Sequence, residues 1–157
     1  MNIKLIQIGK TKQPELKELI SSYVVRLKHL TKFEVCTIPD IKNTKSLTEN
    51  QQKDKEAELF LKQIRSSDWV VLLDEKGKTY SSNHFADFFQ KKMNTGVKSL
   101  VFIIGGPYGF SNSIYEIGKQ KLALSSMTFT HEMIRLLFVE QVYRAYSIIN
   151  NLPYHHN

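Results

Sequence analysis

Short apolar runs at residues 3–8, 33–38, 69–73 and 100–104 alternate with longer stretches of helical period. Runs of that length, bounded by turn residues, read as strands buried on both faces. The intervening stretches read as helices. Pro14 and Glu15 open one whose apolar stripe is Leu16, Leu19, Ile20, Tyr23, Leu27 and Leu30. A second, more polar helix runs from 48 to 65 through Ala57, Phe60, Leu61 and Ile64. Ser82 is placed to cap a third carrying Phe85, Phe88, Phe89 and Met93, which Gly96 stops. A fifth short strand is expected at 122–125, and a last helix over 131–150. Strands separated by helices give βαβ units. The expected fold is α/β, a mostly parallel sheet with helices on both faces, in a single domain over 1–157.

Ligands of such sheets bind beyond the carboxyl ends of strands, which brings together the loops after Leu73, Ile104 and Ser125. The middle loop is the most distinctive, because 99-SLVFIIGGPYGFS-111 runs a buried strand into a glycine turn. Its spacing is not that of a dinucleotide fingerprint, and Pro107 lacks the N–H that a phosphate cradle needs. Gly77-Lys78-Thr79 looks like the end of a P-loop but has no glycine at the position of Leu72, so it reads as a turn after the third strand. The common methyltransferase arrangement, a glycine-rich loop after the first strand, is also missing.

Other residues sort by their surroundings. 131-HEMIR-135 begins like a zinc-protease helix, but Arg135 stands where the second metal histidine belongs, so no metal site is expected. His131 and Arg135 share one helical face, either as a grip on a phosphate or base carbonyl or as a surface pair. Glu140 and Arg144 read as an ordinary i, i+4 pair. Beyond Pro153, Tyr154, His155 and His156 form either a frayed tail or a cap over a bound base.

Charge and partners come next. With 22 Lys and Arg against 15 Asp and Glu, the net charge is +7, and the basic residues are spread along the chain. An anionic partner, nucleic acid before others, fits that distribution. The single cysteine, Cys36, excludes an internal disulfide and reads as a small core residue. No apolar run approaches a membrane span and the first residues lack a signal-peptide core, so a cytoplasmic protein is expected. The last helix is apolar nearly all round, more than its own sheet can cover, and a homodimer is expected to bury the rest.

Several motifs in order carry a resemblance over essentially the whole chain. They are 102-FIIGGPYG-109, Leu124-Ser125-Ser126-Met127-Thr128-Phe129, His131 with Arg135, 140-EQVYRA-145 and Pro153-Tyr154-His155. Together they resemble the RlmH (YbeA-type) family of the SPOUT superfamily, bacterial methyltransferases of 23S rRNA. Thr130 and Phe110 depart from the proline and leucine that the family often has there. The resemblance implies a C-terminal trefoil knot and a homodimer. It also implies S-adenosylmethionine as cofactor, at positions matching Leu73, Gly105, Leu124, Ser125, Ser126, Met127, Thr128 and Phe129. The implied reaction is methylation of N3 of a pseudouridine in helix 69 of 23S rRNA, on the assembled ribosome. His131 and Arg135 would bind the substrate, and Arg135, Tyr154 and His155 would hold and activate the base. The rival classes are a ribosome-binding protein without catalysis and a dinucleotide-dependent oxidoreductase; the second lacks its glycine fingerprint.

Overall fold

In the computed structural model, which describes residues 1–155, strands and helices alternate as the apolar pattern requires. Their order is β1 (Asn2–Ile8), α1 (Pro14–Leu30), β2 (Lys32–Ile38), a 3-10 turn (Thr44–Ser46), α2 (Glu49–Leu61) and β3 (Trp69–Thr79). Then come α3 (Ser82–Asn94), β4 (Ser99–Ile104), α4 (Asn112–Ile117), β5 (Gln120–Ala123) and α5 (His131–Ile149). The strands form one sheet in the order β2-β1-β4-β3-β5, and each adjacent pair is parallel.

The two-residue period of the strands divides the core in two. Ile3, Leu5, Leu100, Phe102 and Val71 face α1, α3 and α5, where Phe85, Phe89 and Phe138 pack. Ile6, Val101, Ile103, Val70 and Leu72 face α2 and α4, where Ala57, Phe60 and Ile114 pack. Helices cover both faces, so the central strand β4 and the first half of β3 are apolar without alternation, while the edge strand β2 alternates.

Local chemistry sets the boundaries. Thr48 and Gln51 form a reciprocal capping box at the start of α2. That helix stops at Leu61, short of residue 65, because the Asp68 carboxylate accepts from Arg65 N at 2.8 Å and turns the chain into β3. The cap of α3 is Ser81, one residue before the expected Ser82, and its side chain accepts from His84 N. Helix α4 was not expected; six residues are too few to display a helical period. The two family departures each make a specific contact. Thr130 is the N-cap of α5 and accepts from Met133 N at 3.2 Å, and Phe110 is buried between Phe60 and Tyr115.

The largest correction concerns β3. It does not end at Leu73 but runs to Thr79, and Gly77-Lys78-Thr79 is strand, not a turn after it. Leu73 and Lys78 both register against Leu122, so residues 74–77 form an excursion out of the ladder. Gly77 is required there because a Cβ would lie 2.6 Å from Leu122 N. Strand β5 is shifted the other way, to Gln120–Ala123, so Leu124 and Ser125 leave the sheet. Cys36 is half-buried on β2, its thiol 3.6 Å from Gln63 Oε1. Among the described residues no helix is long and apolar enough to cross a membrane.

Candidate active site

Three segments meet at the carboxyl edge of the sheet, around a cavity of about 850 Å³. They are the β3 excursion, the glycine loop after β4 and the segment between β5 and α5. Of the expected ligand positions, Leu73, Gly105, Leu124, Ser125, Met127, Thr128, Phe129 and His131 line it; Ser126, its neighbours' companion in sequence, does not. Ile104, Leu122 and Ile134 supply apolar wall, and Asp74, Glu75 and Lys76 a polar one. The volume and the mixture of apolar wall with a few fixed polar groups suit a drug-sized organic ligand.

The walls are tied to one another. Thr128 Oγ1 donates to Glu75 Oε2 at 2.6 Å, joining the last segment to the first. Ser125 Oγ accepts from Met127 N at 2.9 Å and folds that segment on itself. Tyr115, on α4, donates to Asp74 Oδ2 at 2.8 Å. Burial, and then Asp74 as acceptor and charge, push its hydroxyl up to about 12, so it stays a donor. At Gly105 a Cβ would sit 3.2–3.3 Å from the Phe110 ring and the Gly109 backbone, so the loop closes tightly on itself. At Gly106 a Cβ would fall 2.3 Å from Glu56 Oε2. Glu56 is therefore a buried carboxylate directly behind the loop, with Gln52 Nε2 donating to Oε1 at 3.0 Å and no partner on Oε2. Burial holds its pKa above the usual range, against the lowering effect of Gln52 and of the nearby Gly106 main chain.

Arg135 lies outside the cavity, only 1% exposed beneath the end of β1. Its guanidinium donates to Thr11 Oγ1 at 3.2 Å and to the Ile8 carbonyl, while Nε has no partner. In the preceding turn, Glu132 accepts from Lys12 N and Gln13 N. Between them the two side chains clamp the β1–α1 loop to the start of α5. His131, exposed at the rim, and Arg135 thus occupy different environments despite sharing a helical face.

The tail forms a second cluster at the other end of α5. Tyr154 donates to Glu140 Oε1 at 3.0 Å, so the Tyr23 hydroxyl, also 3.0 Å away, donates to Tyr154. Burial, then these two partners, push the Tyr154 hydroxyl far up. Arg144 pairs with Glu140 at 2.6 Å and lies over the Tyr154 ring, 4.7 Å from its centre. Burial pulls Arg144 down, but its hydrogen bond and charge contact with Glu140 prevail and raise it. A guanidinium has only donors, so His155 Nδ1, 3.4 Å from Arg144, accepts and leaves the ring proton on Nε2. By spacing Glu140 and Arg144 are an ordinary i, i+4 pair; in the fold they stand at the centre of this cluster. Spacing gave no sign of it, because the partners come from α1 and from beyond Pro153. His156 lies outside the described residues.

Thirteen residues of α5 separate His131 from Arg144, which is about 20 Å of helix. The cavity and the tail cluster of one chain do not meet. Among the described residues no group of three or more His, Cys, Asp and Glu side chains is arranged to hold a metal.

A parallel α/β sheet with a ligand-sized cavity beyond the ends of β3, β4 and β5 is the arrangement of an α/β protein that binds a small organic ligand. A family model described as "Predicted SPOUT methyltransferase" matches residues 1–155. Proteins described as "Ribosomal RNA large subunit methyltransferase H" from Christiangramia forsetii and Flavobacterium johnsoniae are 57% and 56% identical over 156 residues, covering 99% of this chain and of each relative. One from Bacteroides thetaiotaomicron, with the same description and coverage, is 50% identical. The chain belongs to the SPOUT methyltransferase family.

Proposed function

We propose that this protein transfers a methyl group from S-adenosylmethionine to N3 of a pseudouridine in helix 69 of 23S rRNA, on the assembled ribosome in the cytoplasm. The observation that carries the reading is the cavity at the ends of β3, β4 and β5, in a chain whose relatives are described as large-subunit rRNA methyltransferases. The residues fit the cofactor. Leu73, Ile104 and Leu122 offer apolar contact for an adenine, and the glycine loop brings main chain to the cavity wall without side chains. Asp74 and Glu75, against Lys76, leave net negative charge in the wall of a chain whose overall charge is +7, which suits a cationic ligand and not a nucleoside phosphate. When bound, the sulfonium makes its methyl group a strong electrophile, so in-line positioning supplies most of the catalysis. The trefoil knot belongs to the same reading, with the segment between β5 and α5 forming the threaded wall of the cavity.

The protein's own residues then have two tasks. The first is to hold the base. His131 at the rim is one contact, and Tyr154 and His155 in the tail are the others. The second is to favour loss of the imide proton from N3. Arg144, kept cationic by Glu140, stabilises the developing anion by its charge. Arg135, proposed from the resemblance as a base-holding residue, serves this scheme by clamping the β1–α1 loop beside His131. Because no residue of the tail cluster lines the cavity of its own chain, a complete site takes the cavity of one subunit and the tail of another. The homodimer has a surface to form on. Met133 on α5 and Leu19 and Val25 on α1 are exposed by 37%, 48% and 54%.

The test is direct. Large subunits and whole ribosomes carrying unmethylated pseudouridine in helix 69 are incubated with the protein and labelled S-adenosylmethionine, and the digested nucleosides are separated. Labelled N3-methylpseudouridine is expected, more from whole ribosomes. Ribosome binding without label would instead identify a non-catalytic rRNA-binding protein.

A further inference from the structure

Asp74 is a carboxylate in the lining of the cavity with no ion-pair partner among the described residues. It is the first residue of the β3 excursion, and two hydrogen bonds fix its side chain. Lys76 N donates to Oδ1 and the Tyr115 hydroxyl donates to Oδ2, both at 2.8 Å. Lys121, which is close by in the fold, places its ammonium over the opposite partner, 4.3 Å from the centre of the Tyr115 ring. Tyr115 stays protonated and donates, so it orients the carboxylate without cancelling its charge. A fixed negative charge therefore faces a cavity of about 850 Å³ in a chain that is strongly basic elsewhere.

We infer that Asp74 is the specificity-determining residue that reads the positive charge of the methyl donor, with Tyr115 holding it in position. This rests on the proposed function, because it takes a cationic nucleoside as the occupant of the cavity. Two parts of that donor carry the charge, the sulfonium and the amino-acid ammonium. The carboxylate has lone pairs left beside each of its two hydrogen bonds, so it can face either without releasing Tyr115 or Lys76. Reading the charge has a functional consequence. Where Asp74 faces the sulfonium, transfer leaves a neutral thioether there and the site releases the product more readily; where it faces the ammonium, the product keeps the contact.

Calorimetry on the purified protein tests this with three probes. S-adenosylmethionine has both charges, S-adenosylhomocysteine lacks the sulfonium charge, and 5′-methylthioadenosine lacks both. Asp74→Asn keeps the shape and an acceptor but removes the charge. It is expected to weaken S-adenosylmethionine roughly tenfold or more and to leave 5′-methylthioadenosine unchanged. Unchanged S-adenosylhomocysteine then places the sulfonium at Asp74, and an equal loss places the ammonium there. Asp74→Glu restores the preference for the cation, and Tyr115→Phe weakens it partway. Equal weakening of all three probes would mean an ordinary hydrogen bond to the nucleoside, and no weakening would mean no contact; either overturns the inference while the proposed function stands. Failure of the unaltered protein to bind S-adenosylmethionine at all would overturn both.

Discussion

Glu56 shows how a single residue couples core and site. Its carboxyl is buried behind Gly106, and burial keeps its pKa above the ordinary carboxylate value. A carboxyl raised in the folded state binds its proton more tightly there than in the unfolded chain. Its contribution to stability is full below the unfolded pKa and is lost as pH rises through the folded one. Glu56→Gln cannot ionise and escapes that loss. Melting temperatures should therefore favour the Gln variant at pH 8 and converge with the unaltered protein near pH 4. An equal difference at both pH values would mean that the carboxylate is not paying for its burial. Nothing in the sequence announced this residue. Glu56 sits in a polar helix among Lys53, Asp54, Lys55 and Glu58, and only the packing of α2 beneath the glycine loop sets it apart. The cavity positions were different. The apolar pattern and the fold class brought the loops after Leu73, Ile104 and Ser125 together, whereas Leu73, Gly105 and Leu124 as individual ligand positions came from the family resemblance.

At the scale of elements the same contrast appears in β3. Its first half is legible as an apolar run, while its second half, 78-KT-79, carries no such signal and pairs only because β5 lies beside it. Register is a tertiary decision, and the excursion at 74–77 is invisible until both strands are in place. Gly77 makes the re-entry possible. The atoms that a Cβ would meet are main-chain atoms of Lys121 and Leu122 at 2.6–2.7 Å, which cannot rotate away. Gly77→Ala should cost about 1–3 kcal/mol, an overpacking penalty, read as a lower urea midpoint at unchanged slope. Because β3 and β5 form two walls of the cavity, cofactor affinity should fall with it. Full stability in the Ala variant would show that the strands separate at little cost. Helix α4 was missed for a different reason. Its residues were assigned to no element, yet its Tyr115 fixes the polar wall.

For the whole molecule the decisive fact is that one chain keeps the cavity and the tail cluster on different stretches of α5. The cavity lies at its start, by His131, and the Glu140–Arg144–Tyr154 cluster near its end. A second copy in the opposite orientation would bring each tail to the other's cavity, and sedimentation should then report about twice 18.2 kDa. Disabling the cavity and the tail cluster separately tests this in activity. Arg144→Gln keeps a planar side-chain end but removes the charge, and methyl transfer should fall ~10²-fold or more with cofactor affinity retained. Gly105→Val forces a branched side chain where a bare Cβ already lies 3.2 Å from Phe110, so cofactor binding should be lost. Each variant alone forms inactive dimers. In a mixed dimer, the Arg144→Gln subunit supplies a sound cavity and the Gly105→Val subunit a sound tail. One of its two sites is then complete, and activity should return to about half that of the unaltered dimer. A verified mixed dimer with no recovered activity would mean that each tail serves its own cavity, and the separation along α5 would have to be closed by a movement within one chain.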